Sequence, residues 1–212
     1  MPPPIPLPGP DASLDSILAA AWSLLVDGAA RAEAPFHWPV LAGVDAREPG
    51  APRPDARVVV LRAADPGARE LEFHSDVRAH KLAQLRAAPG CLVFHDGPLG
   101  LQLRAGGPVR VHAGDALARR AWDALGASSR RAYLAPRVPG TASDRPDANL
   151  PEGLRGALPD ADEAEPGFAN FAALRLRVRT LEWLRLGRDG HQRMRADWPD
   201  EGDVPSTTWI RP

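Results

Sequence analysis

The densest apolar patterning of the chain lies between residues 57 and 107. RVVVLR at 57–62 sets four aliphatic side chains in an unbroken row between two arginines. A short run so rich in β-branched residues predicts a strand over 57–62 buried on both faces. Ala64-Asp65-Pro66-Gly67 is a turn signal, after which 70–74 predicts a second strand. Ser75 or Asp76 is placed to cap a helix over 77–88, which Pro89-Gly90 stops. Two further strands are predicted, 91–95 and 99–111, joined through Asp96-Gly97-Pro98. This strand–strand–helix–strand–strand unit carries cations at its corners: Arg57, Arg62, His80 and Lys81.

The flanking segments read more simply. Residues 2–10, PPPIPLPGP, cannot form a helix or a central strand, because proline fixes φ and removes a donor. Residues 1–10 are expected to be a disordered tail ahead of a single domain over 11–212. Asp11 or Ser13 then caps a helix in which Leu14, Ile17, Leu18, Ala21, Trp22 and Leu25 share one face, with Gly28 at its end. A first strand is predicted over 36–44, with Pro39 marking an edge or bulge and His37 and Trp38 as packing residues. Residues 45–56, rich in Pro, Gly and charge, are expected to be a loop.

Helical periodicity returns over 114–125 and 128–135. Residues 136–166 carry Pro, Gly, Asp and Glu with little periodicity and predict a long loop. Its acidic stretch at 160–165 is most simply a solvated face; metal binding there would need converging ligands that spacing cannot show. Strands are predicted over 173–179, 181–186, 191–196 and 207–210, with a hairpin turn at Gly187-Arg188-Asp189-Gly190. Arg175, Arg177 and Arg179 alternate with apolar residues and are expected to face water.

Composition narrows the picture. A chain of 212 residues can bury one good-sized core. Its net charge of −1 gives no electrostatic case for nucleic acid or an anionic membrane. Cys91 is the only cysteine, so no intrachain disulfide forms, and its apolar setting suits a small buried hydrophobe. No apolar stretch approaches the ~20 residues of a membrane span, and the N-terminus lacks the pattern of a secretory signal. A cytoplasmic location is the expectation. Lys81 is the only lysine among 26 basic residues. In a chain that otherwise uses arginine, a lone lysine invites a specific role.

The motifs resemble those of the pyridoxamine 5'-phosphate oxidase family of FMN-binding split barrels. The family pattern opens a strand with arginine in R-x-V-L-L-K. It continues with an aromatic-rich strand end bearing a hydroxyl, a basic pair with lysine at a helix start, and a glutamine in a later strand. Arg57, His74-Ser75, His80-Lys81 and Gln102 follow that order here. A tryptophan and an arginine ten residues later complete it, matched by Trp183 and Arg193. The resemblance covers about residues 36–212. It implies a mainly β fold with flanking helices, a six-stranded antiparallel split β-barrel that binds FMN. It also implies a homodimer with flavin at the interface. The implied cofactor-binding residues are Arg57, Val58, Val59, Val60, Leu61, Arg62, His74, Ser75, His80, Lys81, Gln102, Trp183 and Arg193.

The residue chemistry is consistent with those roles. A phosphate dianion needs charge-assisted donors, which Arg57 and Lys81 offer as a planar fork and a point charge. N–H groups at the start of the 77–88 helix would add to them. Gln102 offers both donor and acceptor to the edge of a flavin ring, Trp183 a π-face, and Arg193 a positive charge for the reduced form. The plainer alternatives are solvated strand ends for Arg57 and Arg62, a surface lysine, and an ordinary core tryptophan.

For substrate, the family pairs the lysine of its first motif with Tyr, Arg and Ser spaced by four. Arg62, Tyr133, Arg137 and Thr141 stand at those positions, and His191 matches a histidine of the last hairpin. An arginine that contacts the pyridoxal ring in true oxidases falls at Asp189, with its charge reversed. The resemblance therefore implies an FMN-dependent oxidoreductase acting on a small, anionic substrate, from the oxidase-like branch of the family. The alternatives are a true pyridoxamine 5'-phosphate oxidase, a flavin reductase, and a flavin carrier or sensor without turnover. No catalytic acid or base stands out.

Overall fold

The computed structural model describes residues 5–9, 11–48, 50–188, 190–199, 202 and 204–212. The chain divides into two compact units, residues 1–73, 84–110 and 175–212, and residues 74–83 and 111–174. Among the described residues it forms eleven strands in two sheets, with five α-helices. The mainly antiparallel β architecture with flanking helices is as expected, but the strands outnumber the expected six. Several predicted runs are cut in two by proline or by a change of sheet.

The first unit is built on β1 (Val40–Asp45), β2 (Arg53–Val58), β5 (Gly90–Asp96), β6 (Leu101–Gly107), β9 (Thr180–Arg185), β10 (Gln192–Asp197) and β11 (Ser206–Trp209). They form one sheet in the order β11-β10-β9-β6-β5-β1-β2. Its inner face is a ladder of cross-strand apolar pairs: Leu41 opposite Leu92, Phe94 opposite Leu103, Leu103 opposite Trp183, and Trp183 opposite Met194. All are buried, and such pairs stabilise a sheet by roughly 0.2–1 kcal/mol each. The remaining strands, β3 (Leu61–Asp65), β4 (Glu70–Asp76), β7 (Val109–His112) and β8 (Phe171–Arg177), form a second sheet in the order β3-β4-β8-β7.

The run at 57–62 is not one strand buried on both faces. Its first two residues end β2 and its last two begin β3, and the Val59 amide leaves both ladders to donate to the Pro39 carbonyl at 2.9 Å. Val58 is 59% exposed, while Val59 and Leu61 are buried. The row thus alternates, as a half-buried strand does; β-branched content alone does not imply burial on two faces. Part of the expected loop at 45–56 is β2 itself. Proline sets other boundaries: β1 starts after Pro39, and Pro108 separates β6 from β7, where one strand over 99–111 was expected.

Helix α1 (Leu14–Ala30) begins where Ser13 accepts the Ser16 amide at 3.2 Å, and it buries Ile17, Ala21, Trp22 and Leu25. It continues through Gly28 rather than ending there. A Cβ on Gly28 would come within 2.8 Å of Phe36, so the glycine lets the 3-10 turn Pro35–His37 close on the helix. His37 is buried with Nδ1 2.7 Å from the Gly28 carbonyl, whereas Trp38 is largely exposed and meets the His37 ring edge-on at 5.2 Å. Residues 5–9 have no regular secondary structure, and the Pro8 carbonyl accepts from Arg185 at 2.8 Å. Arg175 also departs from expectation: it pairs with Glu70 at 3.2 Å and Glu72 at 2.9 Å instead of facing water.

The second unit gathers α3 (Ala116–Asp123), α4 (Ala127–Arg131) and α5 (Ala161–Ala164) around Trp122. The Trp122 ring meets Tyr133, Phe168 and Phe171 at centroid distances of 5.8, 5.9 and 5.4 Å, tilted or edge-on as the ring quadrupoles prefer. The long segment at 136–166 is irregular as expected, broken by a 3-10 turn at Glu152–Leu154 and by α5. It is also braced: Asn149 Nδ2 donates to the Arg137 carbonyl at 2.9 Å, and Arg131 to the Ala157 carbonyl at 2.7 Å.

Candidate functional site

In the first unit, β2 places Asp55 and Arg57 two residues apart and therefore on one face. Arg57 Nη2 pairs with Asp55 Oδ2 and also lies 3.3 Å from Gln84 Oε1. Gln84 Nε2 closes the triangle by donating to Asp55 Oδ2 at 2.8 Å. Gln84 belongs to helix α2 (Lys81–Ala87) and is 6% exposed. The other terminal nitrogen of the fork, Arg57 Nη1, is buried and has no hydrogen-bond partner among the described residues. A buried donor of this kind costs about 1–3 kcal/mol when left unmatched. An anionic oxygen would match it, so the residues present suit the phosphate end of FMN at this point.

Elsewhere the fit is looser. Gln102 lies half-buried on the outer face of the large sheet, opposite His95 and Leu184. On the same face Arg193 Nη2 is 2.7 Å from Glu182 Oε2, which also accepts from Arg104 at 3.3 Å. The positive charge expected for a reduced flavin is therefore matched by a carboxylate within the chain. Trp183 is only 1% exposed and packs in the core, leaving this indole no free π-face within its own chain. Val59 and Leu61 are core residues too, so only their backbone is available to a ligand. Val60 is half-buried; Val58 and Arg62 are exposed.

His191 is exposed, and its Nδ1 accepts from the Gly187 amide at 3.3 Å. It lines a cavity of about 390 Å³ with Leu99, Arg185, Leu186 and Arg188. A second cavity of about 440 Å³ brings His191 together with Gln192, Arg193, Asp11 and Trp209. Asp189 lies outside the described residues.

In the second unit, His74 sits edge-on to Phe171 at 4.8 Å. The buried Ser75 donates from Oγ to the Asp76 carbonyl at 3.1 Å. The helix expected over 77–88 starts only at Lys81 and ends at Ala87. Asp76 draws the preceding residues into a turn: its Oδ1 accepts the Arg78 amide at 2.8 Å and its carbonyl the Ala79 amide at 3.1 Å. The Val77 amide is engaged as well, at 2.8 Å to the Asn170 carbonyl. These three N–H groups are thus already committed, which removes the expected anion cradle at 77–79. His80 is exposed and Lys81 half-buried.

Of the substrate set in this unit, Arg137 and Thr141 share a cavity of about 180 Å³ with Ser143, Asp147 and Asn149. Tyr133 is not with them. Its ring joins the aromatic core, 5.0 Å from Phe171.

Sequence reasoning missed Asp55, Gln84 and Glu182, the residues that engage the predicted cations. Asp55-Ala56-Arg57 carried the signal for the first, because alternate strand residues share a face. Reading 45–56 as a loop concealed it.

No family model matches the chain, and no curated protein matches it. Solved structures do. A pyridoxamine 5'-phosphate oxidase-related, FMN-binding protein from Nostoc punctiforme PCC 73102 superposes with a TM-score of 0.69 at 20% identity, over 91% of this chain and 96% of that one. PhzG from Burkholderia lata 383, solved in complex with tetrahydrophenazine-1-carboxylic acid, gives 0.67 at 19% identity, over 96% and 95%. The likeness spans nearly the whole of each chain at low identity, so it speaks for the backbone. The chain has the split-barrel fold of the pyridoxamine 5'-phosphate oxidase-related, FMN-binding proteins.

Proposed function

We propose that this protein is an FMN-binding oxidoreductase that exchanges a hydride with a small, anionic substrate and works as a cytoplasmic homodimer. The observation that carries the reading is the buried Arg57 Nη1, a charged donor with no partner among the described residues, at the position where the resembling family motif places a phosphate ligand. His80 and Lys81 are the other cations assigned to that phosphate. FMN, when bound, supplies the redox chemistry, and the protein binds and orients the reactants. Gln102 would hold the edge of the flavin ring, while Arg137 and Thr141 would hold the anionic group of the substrate.

The dimer is supported by the outer face of the large sheet. Val58 lies opposite Val40 in the β1–β2 pair, and Val40 opposite Val93 in the β1–β5 pair. Val40, Val44 and Val58 are exposed, and a contiguous apolar patch of this kind marks an interaction surface.

The test is the absorbance spectrum of purified protein supplied with FMN or riboflavin. Oxidised-flavin absorbance retained through desalting, with tighter binding of FMN, is the expected result. Equal affinity for riboflavin would reject the phosphate assignment. A second reading, a flavin carrier without turnover, is favoured by one observation: Glu182 already neutralises Arg193, the charge that would stabilise a reduced ring. Anaerobic titration with NADPH and pyridoxine 5'-phosphate separates the two, since a carrier leaves the flavin oxidised.

A further inference from the structure

Asp55 stands out because it brings a fixed negative charge to the arginine that the flavin reading assigns to phosphate. Its carboxylate pairs with Arg57 Nη2 and is held by Gln84 Nε2 at 2.8 Å. Gln84 is neutral and deeply buried, so it fixes the carboxylate without cancelling its charge. Gly43 faces Asp55 across the β1–β2 pair. One arm of the guanidinium is therefore engaged by an internal anion, and the other, Nη1, is buried with no hydrogen-bond partner among the described residues.

We propose that Asp55 sets the charge discrimination of the cofactor site, acting as a built-in anion that competes for Arg57 and weakens its attraction for a phosphate dianion. The proposal rests on the flavin reading above. The side chains of Arg57 and Asp55 are 21% and 27% exposed, so water screens their charges only in part. Nη1 and Nη2 belong to one guanidinium, so an anion bound through Nη1 would feel the repulsion of the Asp55 carboxylate paired to Nη2. Riboflavin lacks the phosphate and feels none of this. The natural protein should therefore prefer FMN over riboflavin by a modest factor, and removal of the Asp55 charge should widen it.

Asp55→Asn keeps the shape and an acceptor for Gln84 while deleting the charge. Affinities for FMN and riboflavin are read from quenching of flavin fluorescence on the full chain, with circular dichroism to confirm the fold. Asp55→Ser serves as a second variant should the first misfold. The expected result is an FMN affinity raised ~10-fold or more, with riboflavin affinity changed less than about twofold. The gain should shrink as salt is added. Unchanged FMN affinity would overturn the proposal. Weaker FMN binding would overturn it too, by making Asp55 a brace that aims Arg57. In both cases FMN still binds the natural protein, so the flavin reading stands. If folded natural and variant proteins both ignore FMN, the flavin reading falls and takes this inference with it.

Discussion

A Cβ placed on Gly107 would lie 1.9 Å from the carbonyl oxygen of Arg177. That oxygen is rigid backbone, so no rotamer change relieves the clash. Gly107 ends β6 opposite Gly90, and Arg177 ends β8; the glycine permits the two strand ends to approach. Gly107→Ala should cost ~1–3 kcal/mol or more, the range for overpacking a filled site. Thermal unfolding should show a midpoint several degrees lower. An unshifted midpoint would mean that β6 can move aside.

The ion pair of Arg175 with Glu72 gives a second expectation. Glu72 is 9% exposed, and Arg175 reaches it at 2.9 Å and Glu70 at 3.2 Å. Removing the cation takes a charged donor from a mostly buried carboxylate, which is more damaging than neutralising that carboxylate at the same time. Arg175→Ala should therefore destabilise more than Arg175→Ala combined with Glu72→Gln. Urea unfolding of the two variants decides it; a single variant as stable as the double would show that water reaches Glu72.

Much of the fold was legible because it follows from short-range rules. Ser13 caps α1 and Asp115 caps α3, each through a side-chain acceptor. Pro89-Gly90 stops α2, and the strand expected over 173–179 lies within two residues of β8, Phe171–Arg177. What escaped depended on neighbours far along the chain. Nothing local shows that Val59 must turn to the Pro39 carbonyl, or that Arg175 faces two glutamates about a hundred residues away. The site shows the same limit. Its cations could be picked out by type and spacing, but not that Arg193 already has a carboxylate partner, Glu182, on the neighbouring strand.

Acid should loosen the second unit. Arg119 donates to Glu165 from two nitrogens, at 2.7 and 3.1 Å, and its guanidinium stacks 3.6 Å above Phe168. The Arg119 bond, with a lesser bond from Trp122, holds the Glu165 carboxyl below the usual carboxylate range. A carboxyl depressed in the folded state stabilises above its unfolded pKa, ~4. That contribution is lost as pH falls through the depressed value. Glu165→Gln should flatten the fall in unfolding midpoint between about pH 5 and pH 3, where carboxylates protonate. An identical pH profile in the variant would dismiss the pair.

Asp189 tests which branch of the family chemistry applies. The oxidase motif has an arginine at this position, and a carboxylate replaces a donor with a repelling charge. Steady-state oxidation of pyridoxine 5'-phosphate by the natural protein should be weak or absent, on the order of 10²-fold below that of a matched site. Asp189→Arg should raise affinity for that compound. Robust turnover by the unmodified chain would instead promote the true oxidase.

The valine face offers the last expectation. Val58 points from β2 at the edge of the large sheet, 59% exposed, beside the exposed Val40. Leaving these half-exposed side chains in water forfeits roughly 1 kcal/mol for each that a partner would bury. A second copy presenting the same face would bury them in self-complementary fashion, as an isologous two-fold interface requires. Val58→Asp should then place two carboxylates at or near the symmetry axis and convert a dimer into monomers under light scattering. Each monomer should keep its fold, because Val58 makes no contribution to the core. If flavin is held between copies, FMN affinity should collapse in the same variant even though Arg57, His80 and Lys81 are untouched. A monomeric natural protein that retains FMN, or a Val58→Asp dimer of undiminished strength, would move the interface elsewhere and confine the cofactor site to one chain.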